Sequence, residues 1–239
     1  MQRYFALKES DINNVLLSEQ DIFHIQKVMR NKVGDEIEIV VSNKSYLALI
    51  TSINPLHLDI LKEKDEDSEL PINTRLFFPL TKMDKIELVI QKATELGIKE
   101  IYIYNSSRTI VKLDNEGFNK KLNRLNMIVK EASEQCHRLN IPVIKGVIPF
   151  KDIPNYNSEL NLIAYELDAG KTNGLSNLLD KKYKDISYIV GPEGGFSKEE
   201  VDYLTSNDYQ RVSLGKRILR CETAAIYLST IISFYLENK

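Results

Sequence analysis

The sequence contains no tryptophan, only two cysteines and only three histidines among 239 residues. Two thiols, Cys136 and Cys221, are too few for a disulfide framework or a structural zinc site. His24, His57 and His137 lie far apart, without H-E-x-x-H spacing or a cysteine partner, so no metal site is expected. No run of about eighteen apolar residues occurs, which leaves no membrane span to expect. The opening MQRYFALKES lacks the apolar stretch of a signal peptide, and a cytoplasmic location follows as the default. G-x-G-x-x-G and G-x-S-x-G are both missing. Gly170-Lys171-Thr172 looks like the tail of a phosphate loop, but the first glycine of that loop falls at Tyr165. Dehydrogenase, nucleotidase and serine-hydrolase chemistry all lack support.

A strong excess of positive charge is missing too. The formal net charge is −2, from 32 Lys and Arg against 34 Asp and Glu. Residues 1–70 carry 8 basic against 13 acidic side chains, a balance of −5; the rest carry 24 against 21, or +3. Any nucleic-acid contact therefore has to come from local patches.

What is present falls into two parts. Residues 1–70 read as a small, mostly β unit: a strand over 3–7, a helix over 18–30 capped by Ser18, a turn at Gly34-Asp35, and strands over 36–41, 46–52 and 56–61. The helix and its exit carry His24, Lys27, Arg30 and Lys32, a locally basic patch in an acidic domain. KEKDEDSE at 62–69 reads as a linker and places a boundary at residue 70. From residue 74 strands and helices alternate, the pattern of an α/β domain with a parallel sheet. Strands are expected over 75–80, 100–104, 142–144, 160–166, 186–190 and 211–214, and helices over 82–96, 118–138 and 221–236. The last helix is apolar around much of its girth, so it is expected to pack on two sides.

Two glycine-bearing loops organise the C-terminal part. The apolar run 186–190 ends at Gly191-Pro192-Glu193-Gly194-Gly195, where glycines allow positive φ and close backbone approach. Ser197 and Glu200 then have the spacing of a capping box, so a helix begins there. The strand over 211–214 turns at Gly215 into a basic loop before the helix from Cys221. Ligands of open α/β sheets settle at the carboxyl ends of strands. These loops also carry Glu193, Arg217, Arg220 and Glu222, where plain turns need only Gly, Asn or Ser.

GPEGGFS followed by SLGKRILRCETA closely resembles the ribosomal RNA small subunit methyltransferase E family, whose members methylate N3 of a uridine in 16S rRNA using S-adenosyl-L-methionine. The resemblance covers nearly the whole chain. It implies a SPOUT-type α/β parallel sheet with a C-terminal trefoil knot over 71–239, preceded by a PUA-like RNA-binding β-barrel over 1–70. The knot comes from the resemblance alone, since chain physics argues against knots. The resemblance also implies S-adenosyl-L-methionine as cofactor, 16S rRNA or the small ribosomal subunit as partner, and a homodimer. The cofactor would sit among three loops: one after the strand ending Tyr165-Glu166, one at Gly191, Glu193, Gly194 and Gly195, and one from Leu214-Gly215 through Ile218 and Leu219 to Arg220.

Uridine N3 carries a proton between two carbonyls and becomes nucleophilic when that proton leaves. Fixed cations stabilise the resulting anion, and arginine suits the task because it stays protonated. The candidates are Arg138, Arg217 and Arg220, the first in Gln135-Cys136-His137-Arg138, which resembles the family's Q-x-x-R segment. Glu222 is grouped with them; Glu193, Glu222 and solvent all remain open as the base. Lys82, Lys92, Glu95 and Arg108 match further family positions in K-x-x-K, QKATELG and SSRT. Lys82 and Arg108, with Lys27, Arg30 and Lys32, are expected to contact RNA, and Glu95 to hold a lysine or arginine. Two other readings stay open: a related methyltransferase acting on another RNA, and an RNA-binding protein without catalysis. The intact 191–195 and 217–223 segments argue against the second.

Overall fold

The computed structural model describes residues 1–109, 115–165 and 175–238. Glu166 and the 170–172 triplet lie outside the described residues. The chain divides into two compact units, Met1–Glu69 with Ser133–Asn140, and Leu70–Ala132 with Ile141–Lys239.

The first unit is built on a four-stranded sheet in the order β1-β2-β3-β4. Its strands are β1 (Arg3–Phe5), β2 (Glu36–Val41), β3 (Lys44–Ile53) and β4 (Leu56–Glu63). β1 runs parallel to β2 and the other pairs are antiparallel. With β1 and β4 at its edges, the sheet does not close by strand pairing into the expected barrel. The expected long helix is a five-residue α1 (Glu19–Phe23) that continues as a π-turn over His24–Val28. Ser18 Oγ accepts from the Asp21 amide at 3.1 Å and starts it. Ile25, Ile37, Ile39, Ala48 and Ile50 form the fully buried core.

The charged run at 62–69 is pinned rather than free. Arg3 donates to Glu38 Oε2 through Nε (3.0 Å) and Nη2 (2.8 Å), and also pairs with Glu66. Lys64 pairs with Glu38 and Glu66. Arg3 Nη1 also donates to the carbonyls of His137 (2.7 Å) and Arg138 (3.3 Å). Alternating signs at close range satisfy charges that burial would otherwise make costly.

The second unit holds a six-stranded sheet in the order β10-β8-β9-β5-β6-β7, every neighbouring pair parallel. The strands are β5 (Asn73–Pro79), β6 (Glu100–Asn105), β7 (Val143–Pro149), β8 (Leu160–Ala164), β9 (Asp185–Val190) and β10 (Tyr209–Val212). Period-two alternation divides their side chains between two cores. Leu76, Phe78, Ile101, Ile103 and Tyr188 share one with helices α2 (Met83–Glu95), α3 (Asn115–Gln135), α4 (Leu175–Leu179) and α6 (Cys221–Glu237). Phe77, Tyr102, Tyr104 and Ile189 share the other with α5 (Lys198–Ser206) and the 3₁₀ segment Phe150–Tyr156. Gly97, at φ +82°, ends α2 as the left-handed residue such a terminus needs. No described helix is long and apolar enough to cross a membrane.

Three features differ from the sequence reading. The last strand begins at Tyr209 rather than 211, with Val212 paired to Ala164. The 3₁₀ segment carries Pro154 and was too short to show a helical period. α4 is a single five-residue turn. At the amino ends of the strands, Arg75 bridges Glu100 and Asp185, both at 2.8 Å, so ion pairs occupy that edge of the sheet.

Candidate active site

The carboxyl ends of β8, β9 and β10 surround one cavity of about 280 Å³. Ala164 and Tyr165 contribute from β8, residues 191–195 from the loop after β9, and Leu214, Gly215, Arg217, Ile218 and Leu219 from the loop after β10. Cys221 and Ala224 close it from the first turn of α6. Nine of the ten residues expected to hold a cofactor line this space, and the tenth, Glu166, lies outside the described residues. The Tyr165 ring is oriented by Arg211, whose guanidinium lies 5.2 Å from the ring centroid.

The glycine loop is a built structure. The Gly195 amide donates to Pro192 O at 2.9 Å, and Gly195 takes φ +68°, a left-handed conformation costly to other residues. A side chain at Gly191 would come within 3.1 Å of the Phe196 ring. Arg108 Nη1 donates to the carbonyls of Gly194 (3.1 Å) and Phe196 (3.2 Å). Ser107 donates to Glu200 Oε1 through its amide (3.1 Å) and hydroxyl (3.0 Å), while Glu200 and Ser197 complete the expected capping box of α5. Tyr104 adds a 2.6 Å hydrogen bond from its hydroxyl to Val190 O. Arg108, expected on RNA, is exposed and gives its Nη1 to the cavity loop, so SSRT carries a loop tether.

A charged cluster stands beside the cavity. Glu193, in its wall, accepts hydrogen bonds from Thr81 and from Lys85 Nζ (3.1 Å). Lys85 Nζ is also 3.4 Å from Glu222 Oε2, which in turn accepts from the Cys221 thiol at 3.2 Å. Burial raises the Glu193 carboxyl, but hydrogen bonds from Thr81, its own amide and Lys85 outweigh it and hold the group below the ordinary carboxylate range. Glu222 is lowered likewise, burial being outweighed by its own amide, the Cys221 thiol and Lys85. Burial first, then the Glu222 hydrogen bond, pushes the Cys221 thiol up to about 12, so it stands as a neutral donor. The hydrogen bond to Glu193 is the largest cause raising Lys85.

Lys85 escaped the sequence reading. Its signal was present as the second lysine of K-x-x-K, one turn into α2 from Lys82. Lys82 stands exposed at the N-cap position of α2 and makes no ion pair among the described residues. Of the arginines, Arg217 lines the cavity and is exposed, and Arg220 is the exposed N-cap residue of α6. Neither makes an ion pair among the described residues. Glu222 lies next to the cavity wall and not in it.

Arg138 requires a correction. It is 2% exposed and belongs to the first unit. Its Nη2 and Nε hold the Glu69 carboxylate at 2.7 and 3.2 Å, and Glu69 also accepts from the amides of Leu139 (3.0 Å) and Asn140 (3.1 Å). A buried guanidinium so engaged is a structural ion pair, not a free cation for substrate. Lys27, Arg30 and Lys32 are exposed on the first unit. Lys92 holds Glu95 at 2.8 Å on α2, as expected for Glu95.

The RNA methyltransferase domain family matches residues 68–233, and the RNA methyltransferase PUA domain family matches residues 17–63. The chain is 34% identical to ribosomal RNA small subunit methyltransferase E of Bacillus subtilis, covering 99% of this chain and 98% of that one. The Rickettsia conorii protein of the same name is 33% identical, covering 88% and 85%. The crystal structure of ribosomal RNA small subunit methyltransferase E from Neisseria gonorrhoeae bound to S-adenosyl methionine superposes with TM-score 0.81 at 26% identity, covering 98% and 97% of the two chains. Full-length similarity joins a parallel sheet whose strand ends carry the glycine loops that first suggested the relationship, and on these grounds the chain belongs to the ribosomal RNA small subunit methyltransferase E family.

Proposed function

We propose that this protein transfers a methyl group from S-adenosylmethionine to N3 of a uridine in small-subunit ribosomal RNA. The observation that carries the reading is the convergence of three parallel strand ends, two of them followed by glycine-bearing loops, on one cavity in a chain of this family. The cavity suits the cofactor: Gly191, Gly194, Gly195 and Gly215 carry no side chains and allow a ligand close to the backbone, and Leu214, Ile218, Leu219 and Ala224 offer an apolar wall. When bound, the cofactor supplies a methyl group already activated at sulfur.

The chain supplies alignment and charge. Arg217 and Arg220, exposed cations at and beside the cavity, stabilise negative charge on O2 and O4 as the N3 proton leaves. Glu193 and Glu222 stay ionised and can accept that proton, as can water. The chain divides functionally into an RNA-contacting part over 1–70 and a catalytic part over 71–239. The reading extends to a homodimer in the cytoplasm, supported by the exposed Phe234 (63%) and Tyr227 (44%) on α6, large apolar groups that a partner would cover. It also extends to a C-terminal trefoil knot, which rests on membership of this family.

The test is to incubate the protein with isotopically labelled S-adenosylmethionine and either 16S rRNA or small subunits, then map methylated nucleosides by mass. Label in 3-methyluridine at one site is expected. Label in another nucleoside, or none with both substrates, overturns the assignment.

A further inference from the structure

We propose that Phe23 and the π-turn after it form a stacking platform for an unpaired RNA base, with Lys27, Arg30 and Lys32 on the flanking phosphates. The inference rests on the RNA-methyltransferase reading and goes beyond it by naming single-stranded RNA as what the first unit takes. Phe23 is 59% exposed and Val28 56%. Their outward position follows from how the turn is anchored. Ile25 is fully buried, and Gln26 Nε2 donates to Ile53 O at 2.7 Å, so the opposite face carries Phe23, Lys27 and Val28. The Met29 amide reaches back five residues to His24 O at 2.9 Å, the wider bond that brings Val28 round toward Phe23. Arg30 follows at φ +54°, with the next amide bonded to Ile25 O at 3.0 Å.

Charge selects the occupant. Of the 8 basic residues in 1–70, Arg3, Lys44 and Lys64 are in ion pairs. The other five make none among the described residues, and three of those five fall within residues 27–32. In a unit of net charge −5 this is where a polyanion meets attraction rather than repulsion. An apolar protein partner would desolvate three cations for no return. A duplex would meet the cations but leave the Phe23 ring and Val28 in water. An unpaired nucleotide offers a π face and a phosphate together.

The test uses the full chain and a single-stranded RNA oligonucleotide bearing one 2-aminopurine, read by fluorescence quenching and by anisotropy across salt, beside a duplex of the same sequence. Phe23→Ala is expected to lower single-strand affinity by about 5- to 150-fold, abolish the quench and leave duplex affinity unchanged, while Phe23→Tyr keeps both signals. Joint replacement of Lys27, Arg30 and Lys32 by Ala is expected to flatten the salt slope by about 2 yet keep the quench at saturation. An unchanged quench and affinity in Phe23→Ala overturns the platform, as does a change in sedimentation of that variant without RNA, which would mark a protein–protein surface. Cofactor titration separates the two readings: a parent chain that fails to bind S-adenosylmethionine sinks the proposed function, whereas a Phe23→Ala chain with normal cofactor affinity isolates the platform.

Discussion

Arg108 and Gly194 are joined through a side chain and a carbonyl 86 positions apart in sequence, at 3.1 Å. The same guanidinium nitrogen reaches Phe196 O, so one residue holds the turn that shapes the cavity wall and the residue that follows it. Arg108→Ala is expected to weaken cofactor binding about tenfold, the scale of one or two charge-assisted hydrogen bonds from an exposed side chain. Calorimetric titration measures it. A phosphate-binding Arg108 would behave in the opposite way, with cofactor affinity intact and the salt slope of RNA binding reduced.

Gly194→Val tests the same loop from the other side. A Cβ at Gly194 would lie 3.3 Å from the Arg108 Cβ, and a branched side chain adds bulk where the tether crosses. Cofactor binding is expected to be lost while circular dichroism stays that of the parent. Gly195→Ala should instead cost about 1–2 kcal/mol in urea unfolding, because its φ is positive.

Lys85 contributes to the pH response of the cluster, after Thr81 and the backbone amide at Glu193 and after the backbone amide and Cys221 at Glu222. Glu193 and Glu222 both have lowered folded-state pKa values, so the stability they confer is present above the ordinary carboxylate pKa and lost as pH falls through the lower folded values. Lys85→Met removes a hydrogen bond or charge that lowers each of them, so both the acid-side loss of stability and the acid limb of turnover should move to higher pH. Lys85→Arg should return both toward the parent. Urea titration and single-turnover rates from acid to neutral pH measure the two; coincident profiles for parent and Lys85→Met would refute the coupling.

Arg138→Ala and Arg220→Ala should fail in different ways. Removing one partner of the buried Arg138–Glu69 pair leaves a carboxylate uncompensated, a loss of about 3–5 kcal/mol in unfolding free energy. Arg220→Ala should leave stability alone and lower turnover by about 10²–10³, the usual cost of one donor to a developing oxyanion. Cofactor affinity should stay within a few-fold, and raised pH should partly rescue the rate as uridine deprotonates. Normal turnover in Arg220→Ala at saturating cofactor would remove it from the reaction.

The cavity was legible because glycines and charges in one loop are an unusual mixture, and because alternation of strands and helices dictates a parallel sheet with ligands at its carboxyl edge. The capping box at Ser197 and Glu200 was local chemistry and was found as expected. Lys85 was hidden because its partner Glu193 lies 108 residues away. Arg138 misled for the same reason: its carboxylate partner, Glu69, sat inside a charged run that reads as solvated linker. The π-turn depends on which of two carbonyls an amide selects, a choice that side-chain periodicity does not record.

Residues 133–140, the last residues of α3 and the segment after it, assemble with the first unit although that helix begins in the second. A recombination breakpoint at residue 70 would therefore deliver an N-terminal module whose Arg3 has lost the carbonyls of His137 and Arg138, and whose Glu69 has lost the guanidinium and amides that neutralise it. The module would not be portable as a contiguous gene segment. A graft has to bring the end of α3 and the segment after it along.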